Sequence, residues 1–343
     1  MNRSAIQIDE SLENWNDVKK DIHFTGILVG NGASRNIWQG FAYDSLYDIA
    51  TSVNQGNPRL NKKDQALFDS QGTRNFEMIL VSLATARRVL KALGLSHKKI
   101  DERYNSIQKA LVAAVKSRHI PWIKVPDDVF VKIKKALRMY RYVYSTNYDL
   151  LAYWAIMLED GENFKDYFWS DTFDLSNTEI WDDNVTRVVY LHGGLHLCKG
   201  PHREIIKRAN KGKNLLYLVG SPYKGKEVSP LFVAEGIAKD KLRTIHGSDY
   251  LAFAYSQLKA QDGPLCIFGH SLCDADKHIA EAVKGSSVRE IAISIKPTIS
   301  KAKVISRKAH FIGLFPKPKI LRFFNSCTHP LGAPELRVTP SAK

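Results

Sequence analysis

A doubly wound α/β fold is what this sequence predicts: a mostly parallel sheet covered on both faces, with a helical subdomain inserted after the first strand. Three observations carry the expectation. Six apolar runs read as strands: 25–30, 142–146, 187–193, 214–220, 264–269 and 289–295. Several are continuous rather than alternating, as strands buried on both faces require. Four of the runs end in small or polar residues, at what would be the carboxyl edge of the sheet, where open α/β sheets bind ligands. The long stretch between the first two runs carries helical periodicity instead.

Taken in order, residues 1–23 form a polar lead-in and 24–295 a Rossmann-like domain, with the helical insertion at about 38–140. The clearest helix of the insertion is 73–94, where Phe76, Ile79, Leu80, Leu83 and Leu90 share one face. A further helix is expected over 248–260, with Ser248 or Asp249 as its N-cap. Residues 296–343 read as a basic extension: ten Lys/Arg against Glu335 alone, a net charge of +9 out of +15 for the whole chain.

Composition narrows the function classes. A hydrophobic content of 44% and a charged content of 25% are those of an ordinary globular protein. The first residues have no apolar core of a secretory signal, and no run reaches the length of a membrane span, so a cytoplasmic location is expected. Cys198, Cys266, Cys273 and Cys327 form no C-x-x-C pair, which argues against structural zinc. The basic tail and a second cluster at 199–213 fit either a phosphate-bearing partner such as nucleic acid or a solvated face.

Four motifs could carry chemistry. Gly30-Asn31-Gly32-Ala33-Ser34 follows the first strand, and its glycines would let the backbone approach a pyrophosphate, although Arg35 stands where a full dinucleotide fingerprint has glycine. Asn147 and Asp149, one residue apart after the second strand, fit a ligand site or a capping network for the following helix. His192 ends a third strand and could act as a general base or sit as a satisfied core histidine. His192 and His196 have the spacing of a helical metal pair, but Gly193-Gly194 argues against a helix. Gly269-His270-Ser271 resembles a nucleophile elbow with Cys273 in place of its last glycine, and no acid and histidine follow in a supporting pattern. A phosphate loop, an Asn/Asp pair and a histidine at one crevice fit cleavage of a nucleotide glycosidic bond better than hydride transfer.

Together, Gly30 to Ser34, Thr146-Asn147-Tyr148-Asp149, His192-Gly193 and Gly269-His270-Ser271-Leu272 resemble the sirtuin-like NAD-consuming family. The stretches at 41–50, 233–236, 248–255 and 268–279 resemble more narrowly its bacterial branch of phage-defence and uncharacterised proteins. The resemblance implies that Gly30, Asn31, Gly32, Ala33, Ser34 and Thr146 bind the dinucleotide, with Gly269, His270 and Ser271 on its adenosine side. Asn147 would contact the nicotinamide ribose and position the attacking oxygen, Asp149 would hold the carboxamide, and His192 would be the base. The two C-x-x-C pairs of the protein deacylases are missing, Asn31 stands for their alanine and Thr146 for their glutamine. Water is therefore the expected acceptor, NAD the substrate rather than a resident cofactor, and no metal is expected.

The implied activity is hydrolysis of NAD to nicotinamide and ADP-ribose by the effector of an anti-phage, abortive-infection system. Such a hydrolase is expected to form a homo-oligomer and to need a trigger from a partner protein, for example a DNA-translocating ATPase or an Argonaute-like subunit. The competing class is a non-catalytic NAD- or ADP-ribose-binding subunit of a nucleic-acid-associated complex. A DNA-processing subunit is a third class, against which counts the absence of a clustered carboxylate metal site.

Overall fold

A computed structural model of the chain describes residues 8–41, 46–52, 58–208, 215–233 and 237–339. Its ten strands are β1 (Gly26–Val29), β2 (Tyr142–Ser145), β3 (Phe164–Lys165), β4 (Thr186–Tyr190), β5 (Gly193–Lys199), β6 (Ile205–Lys207), β7 (Ser229–Phe232), β8 (Leu265–Phe268), β9 (Glu290–Ile295) and β10 (Ile320–Asn325). Seven build one sheet in the order β10-β9-β8-β1-β2-β4-β3, and every pairing in it is parallel. The other three form a small antiparallel sheet, β6-β5-β7. All four residues of β1 and of β8 are buried, which is why these runs lack polar alternation. The α/β architecture expected from the sequence is the one observed.

After the short helix Asn31–Ile37 that follows β1 directly, the chain reaches β2 through the helices Leu46–Ser52, Lys62–Ser70, Phe76–Ala92, Lys98–Arg118 and Asp127–Arg138. The helix Phe76–Ala92 starts where Asn75 accepts a hydrogen bond from the Met78 amide, and it buries Phe76, Ile79, Leu80 and Leu83. Leu90 on the same stripe is only partly covered. The helix Asp249–Lys259 is capped by Ser248, whose side chain accepts from the Leu251 amide.

Two expectations about the elements are corrected. The described part of the run 214–220 is not a strand: Leu215–Leu218 is a short helix that buries Leu215 and Leu216 and leaves Tyr217 and Leu218 exposed, so the apolar run reflects one half-buried turn. Nor does the fold stop at residue 295. The helix Lys301–Leu314 leads into β10, which pairs residue by residue with β9 from Ile320 opposite Glu290 to Asn325 opposite Ile295. The lead-in is built in as well. Trp15 and Val18 are buried, and Glu13 bridges Phe324 on the outer side of β10. Three of the tail's cations are paired there, Lys301 with Glu10, Lys308 with Asp9 and Arg322 with Glu13.

No helix among the described residues is long and apolar enough to cross a membrane. Of the stretches singled out in the sequence, 42–45, 209–214 and 234–236 lie outside the described residues.

Candidate functional site

From β1 the chain moves outward through β2 to β4, and it then returns to β8 on the other side of β1 before moving outward again to β9 and β10. The chain thus leaves β1 and β8 toward opposite halves of the sheet, and the carboxyl ends of these strands are its switch point, the place where open α/β sheets bind ligands. Gly30 and Gly269 sit at that point. The Gly30 amide donates to the Phe268 carbonyl (2.9 Å) and the Gly32 amide to the Gly269 carbonyl (2.8 Å). A Cβ on Gly32 would lie 2.7 Å from the Gly269 Cα, and one on Gly30 2.7 Å from the Gly269 oxygen. Gly269 itself has φ +68°, and a Cβ there would stand 2.6 Å from the Ala33 nitrogen.

These contacts revise the reading of the glycine loop. Its glycines are needed because two backbones touch, and the amides of Gly30, Gly32 and Ala33 are all bonded within the protein, the last to the Gly30 carbonyl at 3.0 Å. They are thus not free to cradle a pyrophosphate in this geometry. Ser34 is likewise turned inward and buried.

Ser34 is the hub of a network that joins the loop after β1 to the loop after β2. Its hydroxyl donates to Oδ2 of Asp149 (2.5 Å) and accepts from Nδ2 of Asn147 (2.8 Å), which also donates to the Gly30 carbonyl (3.1 Å). Oδ1 of Asp149 accepts from the Leu151 amide (2.9 Å) and so starts the helix Leu151–Met157. Burial raises the Asp149 carboxyl above its ordinary pKa, against the pull of the Ser34 and Leu151 bonds. Both carboxylate oxygens are engaged inside the protein, so Asp149 works as a buried anchor of the loops and not as an open receptor for a carboxamide. Asn147 differs: its Oδ1 is buried and has no hydrogen-bond partner. A buried amide oxygen in that condition costs roughly 1–3 kcal/mol until a donor arrives. The neighbouring Leu150 amide donates to Nε2 of His119, whose Nδ1 lies 2.7 Å from the Ile120 carbonyl, so His119 is a structural histidine that holds the turn.

His192 follows β4. Its carbonyl accepts from the Val233 amide (2.7 Å), and Gly193, at φ +71°, brings β5 so near β7 that a Cβ would lie 2.3 Å from the Leu231 oxygen. The glycine pair that argued against a helix in fact begins a strand. His196 lies within β5, fully buried, stacked on Tyr153 at 4.2 Å and edge-on to Tyr190 at 4.3 Å. The two histidines do not form a metal pair.

What His192 does meet is His278, Nε2 to Nε2 at 2.8 Å, with Asp276 alongside. The donor atoms of these three buried residues lie within 4.8 Å of one another, a spacing that a cation could bridge. However, Oδ1 of Asp276 is already held by the ammonium of Lys241 at 2.7 Å, and its other oxygen lies 3.9 Å from Nε2 of His270. A metal would have to displace the lysine and remove the proton between the two rings. Burial, then the Lys241 charge, lowers the basicity of His192, while His278 is held down to about 4, chiefly by burial. Burial would raise the Asp276 carboxyl, but the Lys241 ammonium beside it helps to hold it down to about 2.

The remaining expected residues lie just after β1, β2 and β8. Thr146 donates from its hydroxyl to the Val29 carbonyl (3.2 Å), and Asn31 from its amide to the Phe41 carbonyl (3.1 Å). His270 accepts from the Leu272 amide at Nδ1 (3.0 Å), and the exposed Ser271 offers its carbonyl to His310 (3.1 Å). His278, Asp276 and Lys241 were not among the expected site residues. The D-x-D-x-H run at 274–278 was the available signal for the first two, and nothing in the sequence points to Lys241.

Among solved structures the chain is similar to one concerned with sirtuin substrate affinity (11% identity, TM-score 0.39, 93% of this chain and 95% of that one). It is also similar to Sir2 bound to the inhibitor EX-527, 2'-O-acetyl-ADP-ribose and a deacetylated p53 peptide (11%, 0.38, 93% and 94%) and to a Sir2 homologue–NAD complex (12%, 0.36, 92% and 88%). No curated protein matches the chain. The model of a family described as a domain of unknown function, DUF4917, matches residues 27–329, most of the chain, and the protein is therefore a member of the DUF4917 family.

Proposed function

We propose that the protein is an NAD glycohydrolase that releases nicotinamide and ADP-ribose at the carboxyl-edge crevice. The observation that carries this reading is the unpartnered, buried Oδ1 of Asn147, beside the switch point between β1 and β8. A ribose hydroxyl or an attacking water would supply the missing donor. In the reaction the bond from the ribose C1′ to the pyridinium nitrogen breaks, its electron pair leaves with nicotinamide, and a water oxygen bonds C1′. His192 takes the water's proton. The leaving group needs no acid, so orientation by Asn147 and removal of that proton are the protein's main tasks. Asp149 and Ser34 act through Asn147 by fixing its amide, a role coarser than direct contact with the nicotinamide.

The motif resemblance to the phage-defence branch supports an effector role with a separate trigger and self-assembly, since an unrestrained hydrolase would drain its own cell. Chromatography of NAD, nicotinamide and ADP-ribose tests the reading on the protein alone and with the products of neighbouring genes. Wild type is expected to consume NAD, and Asn147→Ala to lose about a hundredfold or more in kcat. NAD that binds by calorimetry yet survives in every preparation would instead identify a binding subunit.

A further inference from the structure

The pairing of His192 with His278 spans the carboxyl edge of the sheet in an unusual way. β4 and β8, from whose ends the two rings come, are not neighbours; β1 and β2 lie between them. The loop after β4 and the helix Lys277–Gly285 must therefore reach toward each other over the ends of two strands. Their meeting is fixed from several sides. The Tyr255 hydroxyl, on the helix Asp249–Lys259, donates to the His278 carbonyl (2.9 Å), and Lys241, on the helix Ala238–His246, anchors Asp276. At 2.8 Å the two Nε2 atoms can hold one proton between them and not two, so one ring donates and the other accepts.

We propose that His278 is the proton-relay partner of His192, a positioning residue that takes over the proton that the base removes. This rests on the reading of His192 as the base. With His192 donating from Nε2, its other nitrogen carries a lone pair. The water proton bonds to Nδ1 of His192, the proton on its Nε2 crosses to Nε2 of His278, and the positive charge ends on His278. Asp276 is the carboxylate that stabilises it there, and burial together with the Lys241 ammonium keeps both rings neutral at rest, with a lone pair free to take a proton. The groups facing the pair are Asp276 and His270 from the loop after β8, Lys241 from the helix before Ser248, and Tyr255 from the helix after it.

The decisive measurement needs no turnover. In wild-type protein with ¹⁵N-labelled histidine, NMR is expected to show one N–H proton scalar-coupled to both Nε2 nitrogens, and the two rings taking up a single proton between them as pH falls. Two unprotonated Nε2 atoms at neutral pH, or rings that titrate independently, would overturn the proposal. So would stoichiometric binding of added zinc that His278→Gln abolishes, because the trio would then be a cation site. In the NAD assay, His278→Gln is expected to lower kcat about tenfold to a hundredfold, with KM for NAD nearly unchanged and the acid limb of the pH profile moved. A variant with wild-type kcat and pH profile would also overturn it. Coupled rings without any NAD turnover in wild type would reject the hydrolase reading and the relay's part in it, while the proton-sharing pair would stand.

Discussion

The residue pair that the sequence marks most clearly, Asn147 and Asp149, divides its labour. Asp149 satisfies the loops, and Asn147 satisfies them with its nitrogen while its oxygen is left over. The spacing of an amide and a carboxylate after an apolar run was legible, but which of them keeps an unpartnered oxygen was not. That depends on Ser34, which lies more than a hundred residues away in the chain. The same holds for Gly269. A glycine at a strand end reads as room for a ligand, whereas here it is room for the backbone of the β1 loop. Replacing Gly269 by alanine therefore forces a side chain into positive φ and against the Ala33 nitrogen. We expect Gly269→Ala to cost at least about 1–2 kcal/mol in denaturant unfolding and to abolish NAD turnover, because the β1 loop carries Ser34. An unchanged unfolding midpoint would mean that the two loops are not packed as described.

Elements were most legible where burial is two-sided. The runs that became β1, β2, β4, β8 and β9 are apolar because every residue, or nearly every one, is enclosed. β10 escaped notice for the opposite reason: it is an edge strand, Ile320 is exposed, Phe324 is its one fully buried residue, and lysines surround it. The +9 charge of this region drew attention to partners, while its apolar residues went uncounted. Phe311, Phe315, Phe324 and Leu331 are all buried. At ~1.5–3 kcal/mol each, their burial is comparable to the net stability of a whole domain, ~5–15 kcal/mol. A chain ending at residue 295 is accordingly expected to accumulate as aggregate, with little protein in the soluble fraction on expression. A soluble, cooperatively folding truncation would show that β10 is dispensable.

On the scale of the whole molecule, the burial of neutral histidines sets the response to acid. His119, His192, His196, His270, His278 and His329 are all held below their ordinary pKa by burial, His119 and His278 to about 4 and His329 to about 3. The unfolded chain takes up these protons below about pH 6.5, and the folded one only at lower pH. More protons on the unfolded state mean that stability falls as pH falls. The melting temperature by calorimetry should hold steady above about pH 7.5 and decline from about pH 6.5 to 5, with several protons taken up on unfolding. Asp149, whose pKa is raised, opposes this trend with one proton. A flat profile down to pH 5 would show that these rings are not buried neutral.

The strand order also has a consequence in time. β1 lies in the middle of the sheet, yet it is the first strand to leave the ribosome, and its two neighbours follow far behind. Gly26 pairs with Tyr142 on one side and with Leu265 on the other, 239 residues later. At ~5–20 residues per second, the innermost strand waits about 10–50 s before its second edge can be covered. Such long-range parallel pairing is slow to form even in a finished chain. During synthesis the helices between β1 and β2 are the structure available to shelter it before β8 arrives, so the insertion doubles as an early cover for the nascent strand.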